Sequence, residues 1–186
     1  MERSIKIGIS SCLLGEKVRY DGLHKLDSYL TGAFGPIVEW APVCPEIECG
    51  LPVPREAIRL EQGPDGPRLV TVHTGIDHTE RLVEWSQKKI HFLQRLDLCG
   101  FIFKGKSPSC GVRDIEIRTP SGLQADGPQP KKSQDFLGGR GPGIFARILM
   151  NSLPLLPVED DERLHDPAVK EIFIKKIFEY FQQSKL

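Results

Sequence analysis

Ile5-Lys6-Ile7-Gly8-Ile9-Ser10-Ser11-Cys12-Leu13-Leu14-Gly15 is the stretch on which the fold turns. Isoleucine at every second position gives residues 5–10 the period of a strand, and the strand runs straight into a short loop that closes on glycine. Cys12 therefore sits at a strand's carboxyl end. The same grammar recurs twice. Residues 37–43 are strand-like and stop at Cys44-Pro45, where a proline that cannot donate to a ladder leaves the preceding thiol on a turn. Residues 98–103 form an apolar run that opens into Lys104-Gly105-Lys106-Ser107-Pro108-Ser109-Cys110-Gly111. Three strands thus end beside three cysteines.

The segments between these strands supply the other layers. A short helix is expected over 26–33. Two apolar-alternating runs between 57 and 72 flank Gly63-Pro64-Asp65-Gly66-Pro67, a turn signal for a hairpin or an extended excursion. Asp77, followed by Glu80, resembles a capping box, and Leu82, Val83, Ile90, Leu93 and Leu96 mark the stripe of the longest helix. Residues 144–150 read as a helix and 155–158 as a last strand. Asp166-Pro167 opens an amphipathic helix carrying Val169, Ile172, Phe173, Ile177, Phe178 and Phe181. Strands alternating with helices imply an α/β domain: a three-layer, Rossmann-like, mostly parallel sheet with helices on both faces. Loops at the carboxyl ends of such strands converge, which would gather the three thiols on one rim.

The bulk numbers narrow the function classes. The chain of 186 residues suits one core, and 25 basic residues against 25 acidic ones leave no whole-molecule field to draw in phosphate backbones or anionic membranes. Residues 1–9 lack the apolar run of a signal peptide, and no stretch approaches the ~20 apolar residues of a membrane span. A cytoplasmic protein without membrane partners is expected. Five cysteines, an odd count, in a reducing compartment call for a metal or catalytic explanation when they lie in polar loops. Residues 119–141, rich in Pro, Gly, Gln and Lys, read as a mobile loop within the domain.

Spacings of 32 and 66 residues between Cys12, Cys44 and Cys110 are too long for a local knuckle, so only the fold could unite them. Thiolates select soft metals, leaving an iron-sulfur cluster or zinc, with Cys49 as a fourth zinc ligand. Cys99, inside an apolar run, reads as packing. None of His24, His73, His78, His91 and His165 has ligand spacing.

Five ordered motifs carry a resemblance: Ser-Ser-Cys-Leu-Leu-Gly at 10–15, Val-Arg-Tyr-Asp-Gly at 18–22, Pro-Val-Cys-Pro-Glu at 42–46, Gly-Leu-Pro-Val-Pro-Arg at 50–55 and Lys-Ser-Pro-Ser-Cys-Gly at 106–111. Together they resemble the thiouracil desulfidase family over residues 5–158. The resemblance implies a 4Fe-4S cluster on Cys12, Cys44 and Cys110 and non-redox removal of sulfur from thiolated uracil, as free base or 4-thiouridine, with tRNA as a further partner. Gly-Pro-Gly-Ile-Phe-Ala-Arg at 141–147 and Arg-Leu-His-Asp-Pro at 163–167 look like two-domain relatives acting on 4-thiouridine in tRNA. The expected division is a desulfidase domain over 1–160 and a helix over 161–186, either a docking helix or the remnant of an accessory-domain junction. Cys49 stands where the family has glycine, which leaves a persulfide-handling thiol open.

Replacing C=S by C=O needs a proton carrier beside the sulfur-gripping group. Glu46, two residues from Cys44, suits general acid/base work, and Ser107 offers a hydroxyl for catalysis. Ser109, Asp21 and Arg19 are the substrate-binding candidates, with Tyr20 as a wall. Gly141-x-Gly143 before a helix is a weak anion-cradle signal. The competing reading is a non-enzymatic module stabilised by zinc or a cluster.

Overall fold

A computed structural model describes residues 4–119 and 139–183. The loop expected over 119–141 falls mainly outside the described residues. Its last two residues are ordered, because Arg140–Gly141 forms a short strand.

Four strands build a parallel sheet: β1 (Lys6–Ser10), β2 (Glu39–Val43), β5 (Leu98–Phe103) and β8 (Val158–Asp160), in the order β2-β1-β5-β8. Ser10 lies opposite Val43, Ile9 opposite Ile102, and Phe103 opposite Asp160. All four chains therefore leave the sheet along one rim. The last strand starts three residues later than the 155–158 expected, because Leu155 is exposed and Pro157 accepts from Phe101 through its carbonyl before pairing begins.

Alternation along β1 sorts its side chains between two helical layers. Ile5, Ile7 and Ile9 pack with Leu30 and Phe34 of α1 (Ser28–Phe34) and with Phe173 and Ile177 of α6 (Pro167–Gln183). On the opposite face, Phe101 and Phe103 stack with ring centroids 4.2 Å apart and meet Phe145 edge-on. Phe145 comes from α4 (Ile144–Ser152), and α3 (Thr79–Arg95) joins through Ile90 and Leu93. Truncating a ring such as Phe101 to alanine would cost about 3–5 kcal/mol. The C-terminal helix shares the core of β1.

A second sheet was not legible in the strand pattern. β3 (Ile58–Gly63) and β4 (Gly66–Thr71) form the expected hairpin. β6 (Ile115–Arg118) adds parallel to β3, and β7 (Arg140–Gly141) adds antiparallel to β6, giving the order β4-β3-β6-β7. Leu60, Leu69, Ile115 and Ile117 pack with Leu82 of α3, which lies between the sheets. Asp77 does not cap α3 as a box. Its carboxylate accepts from the Thr79 amide at 2.8 Å and pairs with Arg68, so it closes the preceding turn while His78 takes the cap position. Among the described residues, no helix is long and apolar enough to cross a membrane.

Candidate functional site

The chain leaves central β1 for β2 on one side and later returns to β5 on the other, so loops at the carboxyl ends of β1 and β5 part in opposite directions. A crevice opens at such a reversal, the usual ligand position in parallel sheets. Here it is a cavity of about 470 Å³, and Cys12, Cys44 and Cys110 all line it.

Each thiol is delivered differently. Cys12 sits on a 3₁₀ turn (Ser11–Leu14) directly after β1. Cys44 caps α2 (Pro45–Glu48), and its amide donates to the Glu48 carboxylate at 2.9 Å. Cys110 lies in the loop after β5, whose amides at 109 and 110 donate to the Ser107 hydroxyl at 3.3 and 3.1 Å. That loop is held from below by α4. The amides of Ile144, Phe145 and Ala146 donate to the carbonyls of Pro108 and Ser109 at 3.2, 3.0 and 3.2 Å. These donors are the ones an anion would need, so the expected Gly141-x-Gly143 cradle is a loop anchor instead. Gly143 permits the approach, because a Cβ there would lie 2.6–2.7 Å from the backbone of Pro108 and Ser109.

Burial pushes the Cys12 thiol up to about 11, an effect partly countered by the charges of Lys104 and Arg19. Burial likewise raises Cys44 to about 12 and Cys110 well above the ordinary thiol range. Cys12 and Cys44 each raise Cys110 further, and Cys12 raises Cys44, so the three groups feel one another's charge. Left alone they hold their protons, whereas a bound electrophile would favour all three thiolates. Among the described residues, no three His, Cys, Asp or Glu groups are arranged to hold a single metal ion.

Around the thiols stand Glu46, Ser107, Arg19, Tyr20, Lys25 and Lys104. Glu46 forms an ion pair with Arg55 and accepts a hydrogen bond from the Ser109 hydroxyl. Ser109 is fully buried and does not line the cavity, whereas Ser107, whose Oγ lies 3.1 Å from Ser109 Oγ, does. Arg19 lines the wall, its guanidinium 5.6 Å from the Tyr20 ring centroid. Asp21 does not line it: its carboxylate accepts from the Leu23 amide at 3.0 Å and pairs with Arg19 at 3.3 Å, closing a turn. Cys49 also points elsewhere, its thiol donating to the Glu46 carbonyl at 3.3 Å, and Cys99 is core. None of the five histidines lines the cavity.

Two contributors escaped the sequence reading. Asp161, on α5 (Asp161–Leu164), accepts from the Gly105 amide at 2.6 Å and pairs with Lys104 at 2.9 Å, which orders the start of the Cys110 loop. It lies in Glu159-Asp160-Asp161-Glu162, a run that reads as solvated surface. Arg55 ends a motif with no obvious role.

An α/β domain with three thiols lining the crevice at its topological switch point is the arrangement to set beside known proteins. The family model described as 2-thiouracil desulfurase matches residues 7–161, so the chain belongs to that family. Uncharacterized protein YbbK of Bacillus subtilis (strain 168) is 29% identical over 124 residues, 64% of this chain and 82% of the relative. Among solved structures, the 4Fe-4S-dependent thiouracil desulfidase TudS superposes with a TM-score of 0.65 at 27% identity, covering 90% of this chain and 97% of that one.

Proposed function

We propose that this chain is a desulfidase acting on thiolated uracil, with a 4Fe-4S cluster held by Cys12, Cys44 and Cys110. The observation that carries the reading is the convergence of those thiols, from three strand ends 32 and 66 residues apart in sequence, on one cavity beside a carboxylate and a hydroxyl. Three thiols lining one cavity are the soft donor set that an iron-sulfur cluster takes, and Cys49, the fourth thiol that a structural zinc site would need, does not line it. Bound there, such a cluster supplies an iron without a protein ligand, a Lewis acid for thiocarbonyl sulfur.

The chain's own residues handle binding and protons. In the net reaction the thiocarbonyl and one water become a carbonyl and one hydrogen sulfide, so carbon-oxygen bonding replaces carbon-sulfur bonding and no element changes oxidation state. No external reductant is required. Glu46 takes a proton from water as its oxygen bonds to carbon and returns a proton as sulfur departs. Ser107 presents its hydroxyl to the edge of the ring, while Ser109, behind Glu46, positions the carboxylate. Arg19 and Tyr20 wall the pocket, and Asp21 fixes their turn. A cavity of this volume suits a free base or nucleoside.

The test is to incubate anaerobically reconstituted protein with 2-thiouracil, 4-thiouracil, 4-thiouridine and thiolated tRNA, following thiocarbonyl absorbance and sulfide release. Turnover of base or nucleoside is expected. Turnover of tRNA alone would move the substrate assignment to the polynucleotide, and inertness toward all four would remove the enzymatic reading in favour of a metal-stabilised module.

A further inference from the structure

The motif over residues 50–55 ends in an arginine that the proposed chemistry leaves unused. Arg55 is a buried cation, its side chain only 4% exposed, and its contacts are unusually directed. Nη1 and Nη2 each donate to the Val18 carbonyl at 3.1 Å, Nη1 also donates to the Pro52 carbonyl at 3.2 Å, and Nη2 pairs with Glu46 Oε2. The Arg55 amide donates to the Tyr20 carbonyl at 2.9 Å. Its Nε is buried without a partner among the described residues, so the guanidinium is held at a desolvation cost that the other contacts must offset.

These contacts converge on the reacting end of the site. The Val18 carbonyl that receives both guanidinium nitrogens lies 4.0 Å from Cys44 Sγ. Glu46 Oε2 belongs to Arg55 and Oε1 to Ser109, so the two ends of the carboxylate are anchored from different segments. A carboxylate oxygen has two lone-pair directions, and one anchor on each leaves the second lone pairs aimed by the geometry of the first. A single anchor would let the group rotate about its bond to the Ser109 hydroxyl. A planar, forked cation holds Glu46 and the Val18 carbonyl in one fixed plane, whereas an ammonium, with three rotatable donors on one nitrogen, imposes no plane.

We infer that Arg55 is the positioning residue that fixes the plane of the Glu46 carboxylate toward the substrate, locking it to the Val18–Tyr20 wall. The inference rests on Glu46 being the proton carrier. It attributes the role of Arg55 to aim, because misplacing a reacting group by about 1 Å costs on the order of a hundredfold in rate.

A double-mutant cycle tests it, with kcat, KM, iron content and melting temperature measured for Arg55→Met, Arg55→Lys, Glu46→Gln and the two double variants. Arg55→Met is expected to lower kcat by roughly ten- to a hundredfold with iron content retained, and Arg55→Lys to fall less, both acting through Glu46. In the Glu46→Gln background either change should then lower kcat by less than about threefold. Multiplicative losses in the double variants, or a rise in KM with kcat untouched, overturn the inference. Arg55→Lys keeps the charge and most of the stem, so it carries the cycle where the neutral variant does not fold. A crystal structure of apo Arg55→Lys gives a readout independent of turnover: the Glu46 carboxylate should leave its wild-type plane, and an unmoved carboxylate contradicts the proposal. Wild-type turnover by Glu46→Gln would instead sink the acid/base assignment itself.

Discussion

Replacing Gly143 by alanine should dislodge the Cys110 loop, and the size of the effect follows from three distances and three hydrogen bonds. The added Cβ would lie 2.6 Å from the Ser109 carbonyl carbon and 2.7 Å from the carbonyl oxygens of Pro108 and Ser109. Ordinary van der Waals contact begins near 3.4 Å, so the loop must retreat by about 0.7 Å or helix α4 must move off its seat. Neither partner is a flexible side chain. Retreat stretches the bonds from Ile144, Phe145 and Ala146, now 3.0–3.2 Å, beyond useful length. At about 1 kcal/mol for each lost bond, the apoprotein should lose about 3 kcal/mol, or roughly 6–12 °C in melting temperature for a chain of this size. Iron retention should fall as well, because Cys110 rides on the displaced backbone. Gly32, in α1 with nothing within 4 Å of a Cβ, is the control: alanine there should be neutral or stabilising by about 0.5–1 kcal/mol. The assay is thermal melting of both apoproteins together with iron content after anaerobic reconstitution. A Gly143→Ala protein that melts with wild type and loads iron fully would refute the anchoring argument.

The raised thiols predict how apoprotein stability varies with pH. A group whose folded value lies above its unfolded one stabilises fully below the unfolded value and loses that contribution as pH rises. For Cys12 the window runs from about 9.0 to about 11, and for Cys44 to about 12. Urea midpoints of apoprotein should fall between about pH 8 and about pH 10.5, with Cys12 contributing of the order of 2 kcal/mol and Cys12→Ser flattening the slope. An equal slope in the serine variant would be the wrong outcome. Asp161→Ala should orphan the Gly105 amide and leave the Lys104 ammonium with the Gly105 carbonyl but no counter-charge from Asp161, costing about 1–3 kcal/mol, while Asp161→Asn, which keeps an acceptor, should cost less. Equal urea midpoints for the two variants would contradict that account.

What the sequence made legible was what local chemistry enforces. Isoleucine alternation at 5, 7 and 9 and the stop signals at Gly15 and Pro45 placed strand ends beside Cys12 and Cys44 without any knowledge of partners. The apolar run at 98–103 did the same for the loop bearing Cys110. Long-range pairing was hidden. The strand Ile115–Arg118 has two inward isoleucines and owes its existence to parallel pairing with β3, more than fifty residues earlier. Charge pairing was equally silent: Asp161 reads as one acid in a run, and its place against Lys104 follows only from the register of β8 on β5. Adjacency also misled. Ser109 neighbours Cys110 yet turns inward to Glu46, and Asp21 neighbours the cavity wall yet spends its carboxylate on a turn.

The central claim is that three distant thiols share one cluster. The most direct measurement is iron and acid-labile sulfide per chain after anaerobic reconstitution, for wild type, Cys12→Ser, Cys44→Ser, Cys110→Ser and Cys49→Ser. Wild type and Cys49→Ser should hold about four irons and four sulfides, the composition of a 4Fe-4S cluster, and the other three variants far fewer. A single tightly held zinc in wild type, or a full iron complement in Cys110→Ser, would contradict the account.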